Sequence, residues 1–465
     1  MQRREFLRAA ATCAGLGLLG KSARAQSERK PNIVFILIDD MGWMDIGCNG
    51  SDFYQTPNID RLASQGMRFT DAYAACPVCS PTRASIMTGQ YPARLHLTDF
   101  IAGKAAPHEK LLMPEWRKYL PNEVDTVAER LRAAGYRTAC IGKWHLDSKG
   151  ADGVDHDSTL PQAQGFDVSQ DFPTQNIKND DPKSIYAITR ASLDFIDENK
   201  DGPFFLYMAH HTVHLAIEAR EALIAKYAAK DTSGLRQKNP VYAAMVEHTD
   251  DSVGQVMAKL DALGLTENTI VIFFSDNGGF SYVRGKSEAP TNNAPLRLGK
   301  GSLYEGAVRV PFIVRWPGKV AKGTVCNVPV ISVDFYPTLA EIAGAPEAAG
   351  HVLDGVSLVP LLSGAGKPAD RALYWHYPHY HHTAPGGMVR EGDFKLIENF
   401  EDNSIELYNL SEDLGEQKNL ASAMPEKAKE LQAKLKSWRE AVGAQMCSPN
   451  PNYDPAQAGT HLTEL

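Results

Sequence analysis

The sequence predicts an α/β fold, with a large mixed but mostly parallel sheet flanked by helices and a small C-terminal α+β subdomain. Three observations carry that expectation. Residues 32–38, 136–141, 203–209 and 269–274 are mainly apolar runs without strict polar alternation, the pattern of strands buried on both faces of a sheet. Segments with helical spacing lie between them, at 126–134, 184–199 and 242–263. Each run also leads into reactive polar residues: Asp39-Asp40, Lys143 with His145, His210-His211 with His214, and Asp276-Asn277. Ordinary strand-end turns account for one or two such endings; four match ligand groups gathered at the carboxyl ends of strands in an open sheet.

The first 25 residues stand apart from this fold. Arg3-Arg4-Glu5-Phe6-Leu7, the apolar 9–19 and Ala23-Arg24-Ala25 have the layout of a twin-arginine export signal with its cleavage site. The apolar run is too short for a stop-transfer helix, so the expected destination is periplasmic or secreted, with no stable membrane anchor. Cleavage would remove five basic residues and one acid and take the formal charge from −8 to −12. That acidic balance, without any basic run, excludes nucleic acid as a partner. Two phosphate-binding patterns, Gly15-x-Gly17-x-x-Gly20 and Gly15-x4-Gly20-Lys21-Ser22, fall inside this segment, away from the strand and helix that give them function. Cys13, followed by more apolar signal, reads as a passive apolar residue. The six cysteines beyond it (Cys48, Cys76, Cys79, Cys140, Cys326 and Cys447) are too sparse in 465 residues for a disulfide framework. With 22% charged and 43% apolar residues the composition is that of a folded globular chain.

In chain order, 56–66 reads as a short helix closed by Gly66, and 67–73 leads into 76–89. There Ser80 suits an N-cap and Pro81 the first helical position, with 82–87 running on as helix. Residues 148–183, rich in Asp, Gly, Pro and Gln, lack periodicity and read as a long surface excursion. Residues 308–318 give a fifth strand and a turn, and 332–343 a helix closed by Gly344. Near 370 the character changes. Runs at 373–377, 388–390, 394–398 and 405–410 between polar turns suggest a small antiparallel sheet, followed by an amphipathic helix at 425–443. The organisation expected is a signal at 1–25, a catalytic domain at 26–370, a C-terminal subdomain at 371–446 and a tail at 447–465, without internal repeats.

Position 79 organises the chemistry. At a helix start Cys79 would feel the positive end of the dipole, which holds anions and acidifies a thiol, and Arg83 one turn on can reach back towards it. Cys76-x-x-Cys79 has the spacing of a redox pair, but Pro81-x-Arg83 has no role in such a motif. Asp39, Asp40, Asp276 and Asn277 are two pairs of hard oxygen donors, suited to calcium or magnesium rather than zinc.

Cys79-x-Pro81-x-Arg83 followed by Thr88-Gly89 resembles the signature of the type I sulfatases, the formylglycine-dependent branch of the alkaline-phosphatase-like superfamily. Other family-like stretches occur in the expected order: Asp39-Asp40, Gly142-Lys143-Trp144-His145, Asp276-Asn277-Gly278-Gly279, and Gly299-Lys300 through Glu305-Gly306 to Arg309-Val310-Pro311. The resemblance spans residues 30–420 and implies an alkaline-phosphatase-like fold and a hydrolase of sulfate esters, of the arylsulfatase or carbohydrate-sulfatase type. It implies Ca2+ held by Asp39, Asp40, Asp276, Asn277 and residue 79. It also implies that a formylglycine-generating enzyme oxidises Cys79 before export, since the twin-arginine route carries folded protein. In the implied mechanism the hydrated aldehyde at 79 is the nucleophile, held by Arg83. Lys143 and Lys300 neutralise the sulfate oxygens, Lys300 or His214 protonates the leaving oxygen, and His145 is the base that expels sulfate. Leu215-Ala216 departs from the family, which usually has proline shortly after this histidine.

Substrate contacts are expected from a sulfated carbohydrate at His210 and His211, at Asn293 and Arg297, and at His379 and His381. The last two lie in Trp375-His-Tyr-Pro-His379-Tyr-His381-His382, a cluster suited either to sugar stacking or to a packed aromatic edge. A phosphodiesterase or phosphonate hydrolase of the same fold, and a non-catalytic sugar-binding relative with an unconverted Cys79, are the alternative readings.

Overall fold

Eight strands make the central sheet: β1 (Asn32–Ile38), β2 (Met67–Phe69), β3 (Arg137–Gly142), β4 (Val168–Gln170), β5 (Phe204–Ala209), β6 (Thr269–Ser275), β7 (Phe312–Arg315) and β8 (Thr324–Cys326). They come from a computed structural model that describes residues 29–149, 153–174, 180–283, 288–346 and 348–459, so the expected signal at 1–25 lies outside the described residues. The spatial order is β8-β2-β7-β6-β1-β5-β3-β4, and β7 alone among them runs antiparallel to its neighbours. This is the α/β architecture the apolar runs predict.

Alternation along β1 builds the two faces of the sheet. Ile33, Phe35 and Leu37 pack with Ala84, Ile86 and Met87 of α2 (Cys79–Thr88), with α3 (Val127–Ala133) and with α7 (Phe335–Ala343). Val34, Ile36 and Ile38 face the other way, onto α1 (Pro57–Ser64), α4 (Ile185–Glu198) and α6 (Pro240–Ala262). Burial of each such side chain is worth about 1.5–3 kcal/mol, so a strand sealed on both faces anchors the sheet. A further helix, α5 (Glu221–Ala228), packs on α6 and had no clear signal in the sequence.

Four antiparallel strands follow in simple succession: β9 (Ala372–Tyr377), β10 (Gly386–Glu391), β11 (Phe394–Asn399) and β12 (Ile405–Asn409). One face packs Trp375, Met388 and Ile397 against Tyr73 and Val308 of the main body. The other packs Val389, Leu396 and Leu407 under Leu431 and Leu435 of α8 (Pro425–Val442). Buried ions join the two sheets. Lys395 reaches Glu305 at 2.9 Å and Glu416 at 2.8 Å, and Arg309 and Arg390 converge on Asp71 at 2.6 and 2.7 Å.

Three expectations change. The excursion at 148–183 contributes the edge strand β4, paired parallel to β3 from Ala139↔Val168 to Ile141↔Gln170. The tail folds back, so that Ser448–Pro449 pairs antiparallel with Leu111–Leu112. Helix α2 starts at Cys79 with Val78 at its N-cap position, not at Ser80. The Ser80 hydroxyl accepts the Ile101 N–H at 3.1 Å instead of capping, while Thr82 donates back to the Cys76 carbonyl at 3.0 Å.

Candidate active site

Register brings the strand ends level. Leu37 pairs with Ala209 and Ile38 with Ser275, while Gly142 pairs with Ala209 from the other side. Asp39-Asp40, Asp276-Asn277, Lys143 and the histidines after β5 therefore emerge along one edge of the sheet. Glycine at 142 is required here: its φ is +98°, and a Cβ would sit 2.0 Å from the Ala209 carbonyl oxygen. Asp40 and His145 also have positive φ, 63° and 58°, which for such residues costs about 1–3 kcal/mol and is characteristic of functional positions.

The carboxylates are divided among cations. Lys143 Nζ donates to Asp39 Oδ2 at 2.6 Å, and Lys300 Nζ lies 2.7 Å from Asp40 Oδ1 and 2.9 Å from its Oδ2. Arg83 binds Asp276 Oδ2 through Nε at 2.9 Å and donates to the Lys143 carbonyl at 2.7 Å. The hydrogen bonds of Arg83 thus go to Asp276 and Lys143, not back to residue 79 as the sequence suggested. Asn277 Nδ2 donates to Asp40 Oδ1 at 2.8 Å. Burial opposes the charge on Asp39, but Lys143, His214 and Arg83 together hold its carboxyl well below the usual range.

Two oxygens in this cluster, Asp39 Oδ1 and Asn277 Oδ1, are buried without a hydrogen-bond partner. Ligand atoms of Asp39, Cys79 and Asp276 lie within 4.8 Å of one another, as do those of Asp39, Asp40 and His214. Burial and then the Asp39 carboxylate push Asp276 up to about 6 against the pull of Arg83. Unsatisfied hard oxygens and carboxylates crowded this closely fit a hard divalent cation such as calcium.

Position 79 faces a base. His145 Nδ1 lies 3.3 Å from Cys79 Sγ, and its Nε2 lies 2.6 Å from the Ile101 carbonyl. A carbonyl only accepts, so Nε2 carries the ring proton and Nδ1 presents a lone pair to residue 79. Burial and then Lys143 hold the His145 pKa well below its ordinary value, which keeps the ring neutral. The unmodified thiol is not acidified as the helix start suggested: burial raises its pKa, against the pull of Lys143 and Lys300.

His214 stands at the mouth. Its Nδ1 lies 2.6 Å from the Leu215 carbonyl and its Nε2 3.8 Å from Asp40 Oδ2. Burial and Lys300 lower its pKa to about 4, so it is neutral, with Nδ1–H committed to that carbonyl.

The expected substrate contacts divide. His211 and His381 line the cavity. His210 does not: it is fully buried, and its Nε2 meets Ser252 Oγ at 3.1 Å. Asn293 is buried and braces the Gly279 and Leu298 carbonyls, each at 2.9 Å. Arg297 binds Tyr408 and the Glu416 carbonyl and stacks on Tyr304, tying the main body to the C-terminal sheet. His379 is buried against Thr98, and Trp375 donates to the Ala74 carbonyl, so most of that cluster is the packed aromatic edge. Sequence reasoning missed Phe100, Phe280 and Lys183 in the cavity wall, which lie in irregular stretches without periodic or motif signals.

With this geometry in place, a family model gives the decisive comparison: Sulfatase matches residues 31–345. The chain belongs to the sulfatase family. As a sulfatase it is a hydrolase of sulfate esters, and its sheet is that of the alkaline-phosphatase-like fold. A second family model, N-sulphoglucosamine sulphohydrolase, C-terminal, matches residues 298–443. This sulfatase is 36% identical over 509 aligned residues to a "Sulfatase" of Formosa agariphila, covering 90% of this chain and 91% of that one. It is 34% identical to "Arylsulfatase A" of Homo sapiens, covering 81% and 76%. A crystal structure of Ps i-CgsB in complex with k-i-k-neocarrahexaose superposes with a TM-score of 0.74 at 27% identity, covering 92% of this sulfatase and 96% of that chain.

Proposed function

We propose that this chain is an exported, calcium-dependent sulfatase that removes sulfate from a sulfated sugar, using formylglycine made from Cys79. The observation that carries the reading is the neutral His145 with its bare Nδ1 3.3 Å from residue 79, beside two lysines and two unsatisfied hard oxygens. The solved complex of Ps i-CgsB with a neocarrahexaose supports a carbohydrate substrate.

Calcium bound by Asp39, Asp40, Asp276, Asn277 and residue 79 would supply a Lewis acid beside the sulfuryl oxygens. Formylglycine at position 79 would, when hydrated, supply a hydroxyl nucleophile and a second ionisable hydroxyl. The chain's own groups do the rest. Lys143 and Lys300 place ammonium charge beside the ester, where charge builds on the sulfuryl oxygens as the bond to the leaving oxygen breaks. Arg83 fixes Asp276 and the backbone before His145. The committed Nδ1–H of His214 favours Lys300, whose ammonium is held protonated by Asp40, as the group that meets the leaving oxygen. His145 Nδ1 accepts the proton from residue 79.

A signal at 1–25, a catalytic domain at 26–370, a C-terminal subdomain at 371–446 and a tail at 447–465 complete the reading. Conversion of Cys79 by a formylglycine-generating enzyme precedes periplasmic or extracellular delivery. No described helix is long and apolar enough to cross a membrane.

The test is the mass of the peptide containing residue 79 from protein made in its native host, paired with sulfate release from sulfated sugars and an aryl sulfate. An aldehyde mass and sulfate release are expected. An intact thiol with no release would overturn the mechanism, and faster cleavage of a matched phosphodiester would favour the phosphodiesterase reading.

A further inference from the structure

The cavity has two lobes that share Phe100, His145, His214 and Leu215. Cys79 and Lys300 line the first lobe, where the scissile ester would sit. Lys183 lines the second, a space of about 550 Å³ that extends past Lys143 and His211 to Phe172. That volume lies within the range of small-molecule sites and leaves room beyond the reacting group.

Lys183 differs from the other cations of this lobe. The Lys143 ammonium is already held by Asp39 at 2.6 Å, and His211 lies 3.3 Å from Asp171. Lys149 at the rim is exposed, an ordinary solvated charge. Lys183 is only 6% exposed, yet among the described residues its ammonium has no hydrogen bond and no ion pair. Glu218 accepts the Lys183 backbone N–H at 2.6 Å rather than the ammonium. Only the more distant carboxylates of Glu218, Asp39 and Asp40 answer its charge, so part of the cost of burying the ammonium stays uncompensated. The backbone adds to that cost: Lys183 and Ser184 both sit in the left-handed region, with φ of 54° and 53°, directly after Pro182. Burial lowers the Lys183 pKa, and an anion docking on it would reverse that effect.

We propose that Lys183 contacts a second anionic substituent, a sulfate or carboxylate, on the sugar whose sulfate ester is cleaved. The proposal rests on the sulfated-sugar reading above and narrows its substrates to sugars with two negative groups. Lys183 positions that second group and takes no part in the bond-breaking step.

The test is calorimetric binding to the full chain carrying Cys79→Ala, in calcium, which separates recognition from turnover. The probes are galactose and glucose monosulfates, the corresponding disulfates, and monosulfates of galacturonic and glucuronic acid; the last two sets distinguish a sulfate from a carboxylate. The best doubly charged sugar is expected to bind at least tenfold more tightly than its monosulfate. Lys183→Met should reduce that ratio to near one, and Lys183→Arg should retain most of it. Lys183→Gln repeats the measurement if the methionine variant does not fold. The proposal is overturned if no doubly charged sugar is preferred, or if removing Lys183 weakens singly and doubly charged sugars alike. Sulfate release by the converted wild type is measured in parallel. Absent release with the binding preference intact would sink the sulfatase mechanism and leave the second-anion contact standing.

Discussion

Arg83 Nε donates to Asp276 Oδ2 at 2.9 Å while Nη2 lies in ion-pair contact with the same oxygen at 2.7 Å, and both side chains are fully out of solvent. Nη1 donates to the Lys143 carbonyl at 2.7 Å, so one guanidinium ties α2 to the ends of β6 and β3. Breaking a buried pair of this kind by removing one partner costs about 3–5 kcal/mol, because the other charge stays behind. Arg83→Ala should therefore lower the denaturant midpoint by that equivalent. Arg83→Lys should recover less than half of it, since an ammonium cannot reproduce the fork. A melt of Arg83→Ala that overlays the wild type would show that Asp276 is not held this way.

This pair also shows what the sequence could reveal. The spacing of Arg83 after Cys79 pointed to a shared site, and the resemblance supplied a role, but the partner lies 193 positions away and is set by the register of β1 with β6. Buried strands and their polar endings were legible because apolar runs and terminal acids are local signals. Edge strand β4 was not, since three half-exposed residues in a Gly- and Pro-rich stretch carry no period. Cys79 is not the acidified thiol its place at a helix start suggested, because burial, which one local motif does not reveal, raises its pKa. His379 and His381 look equivalent in sequence, yet one is sealed against Thr98 and the other lines the cavity.

Metal removal should be visible in stability as well as in rate. With the orphan oxygens Asp39 Oδ1 and Asn277 Oδ1 aimed into a carboxylate cluster, a bound divalent cation relieves repulsion that the apo fold must carry. Chelation should lower the melting temperature, and calcium at 100 times its dissociation constant should restore about 2.7 kcal/mol. Asn277→Ala should reduce the calcium response without abolishing folding. Identical melting curves with chelator and with calcium would argue against a metal at these residues.

The acid limb of the turnover profile tests His145. Its pKa is depressed, so the neutral base persists as pH falls through 6.5 and is lost only well below that value. The limb belonging to this residue should therefore lie well below the ordinary histidine range, and wild-type kcat between pH 7.5 and 6.5 should not decline through its protonation. His145→Gln, which can still reach the Ile101 carbonyl, should reduce kcat by about 100-fold or more with little change in melting temperature. Retention of near wild-type kcat in that variant would remove His145 from the chemistry.

Asp99 gives a stability change of opposite sign. It is buried, accepts the Tyr377 hydroxyl and the Phe100 N–H, both at 2.9 Å, and burial raises its pKa to about 7. A carboxyl raised in the folded state binds more protons folded than unfolded, so its stabilising contribution is full below the unfolded value near 4. That contribution is lost as pH rises through 7. Asp99→Asn keeps the acceptor and removes the titration. It should flatten the decline in stability between pH 5 and 8 and melt above the wild type at pH 8. An unchanged pH slope would mean that Asp99 is ionised across that range.

The ion cluster between the two sheets concentrates its charge on Lys395, which alone contacts both Glu305 at 2.9 Å and Glu416 at 2.8 Å among the described residues. Those two acids are driven apart. Lys395, aided by Arg309 and Arg390, outweighs burial and holds Glu305 at about 2, while burial raises Glu416 to about 7. Lys395→Met should thus be strongly destabilising, by about 3–5 kcal/mol, because it leaves Glu416 without its cation and Glu305 with only Arg309 and the Tyr73 hydroxyl to answer its charge. Adding Glu416→Gln should return part of that loss, giving a coupling between the two positions of about 1–3 kcal/mol. Urea melts of the two single variants and the double variant measure it directly. Strict additivity would show that Glu416 does not share the lysine, and that the Arg390 and Arg309 contacts to Asp71 carry the join between the sheets.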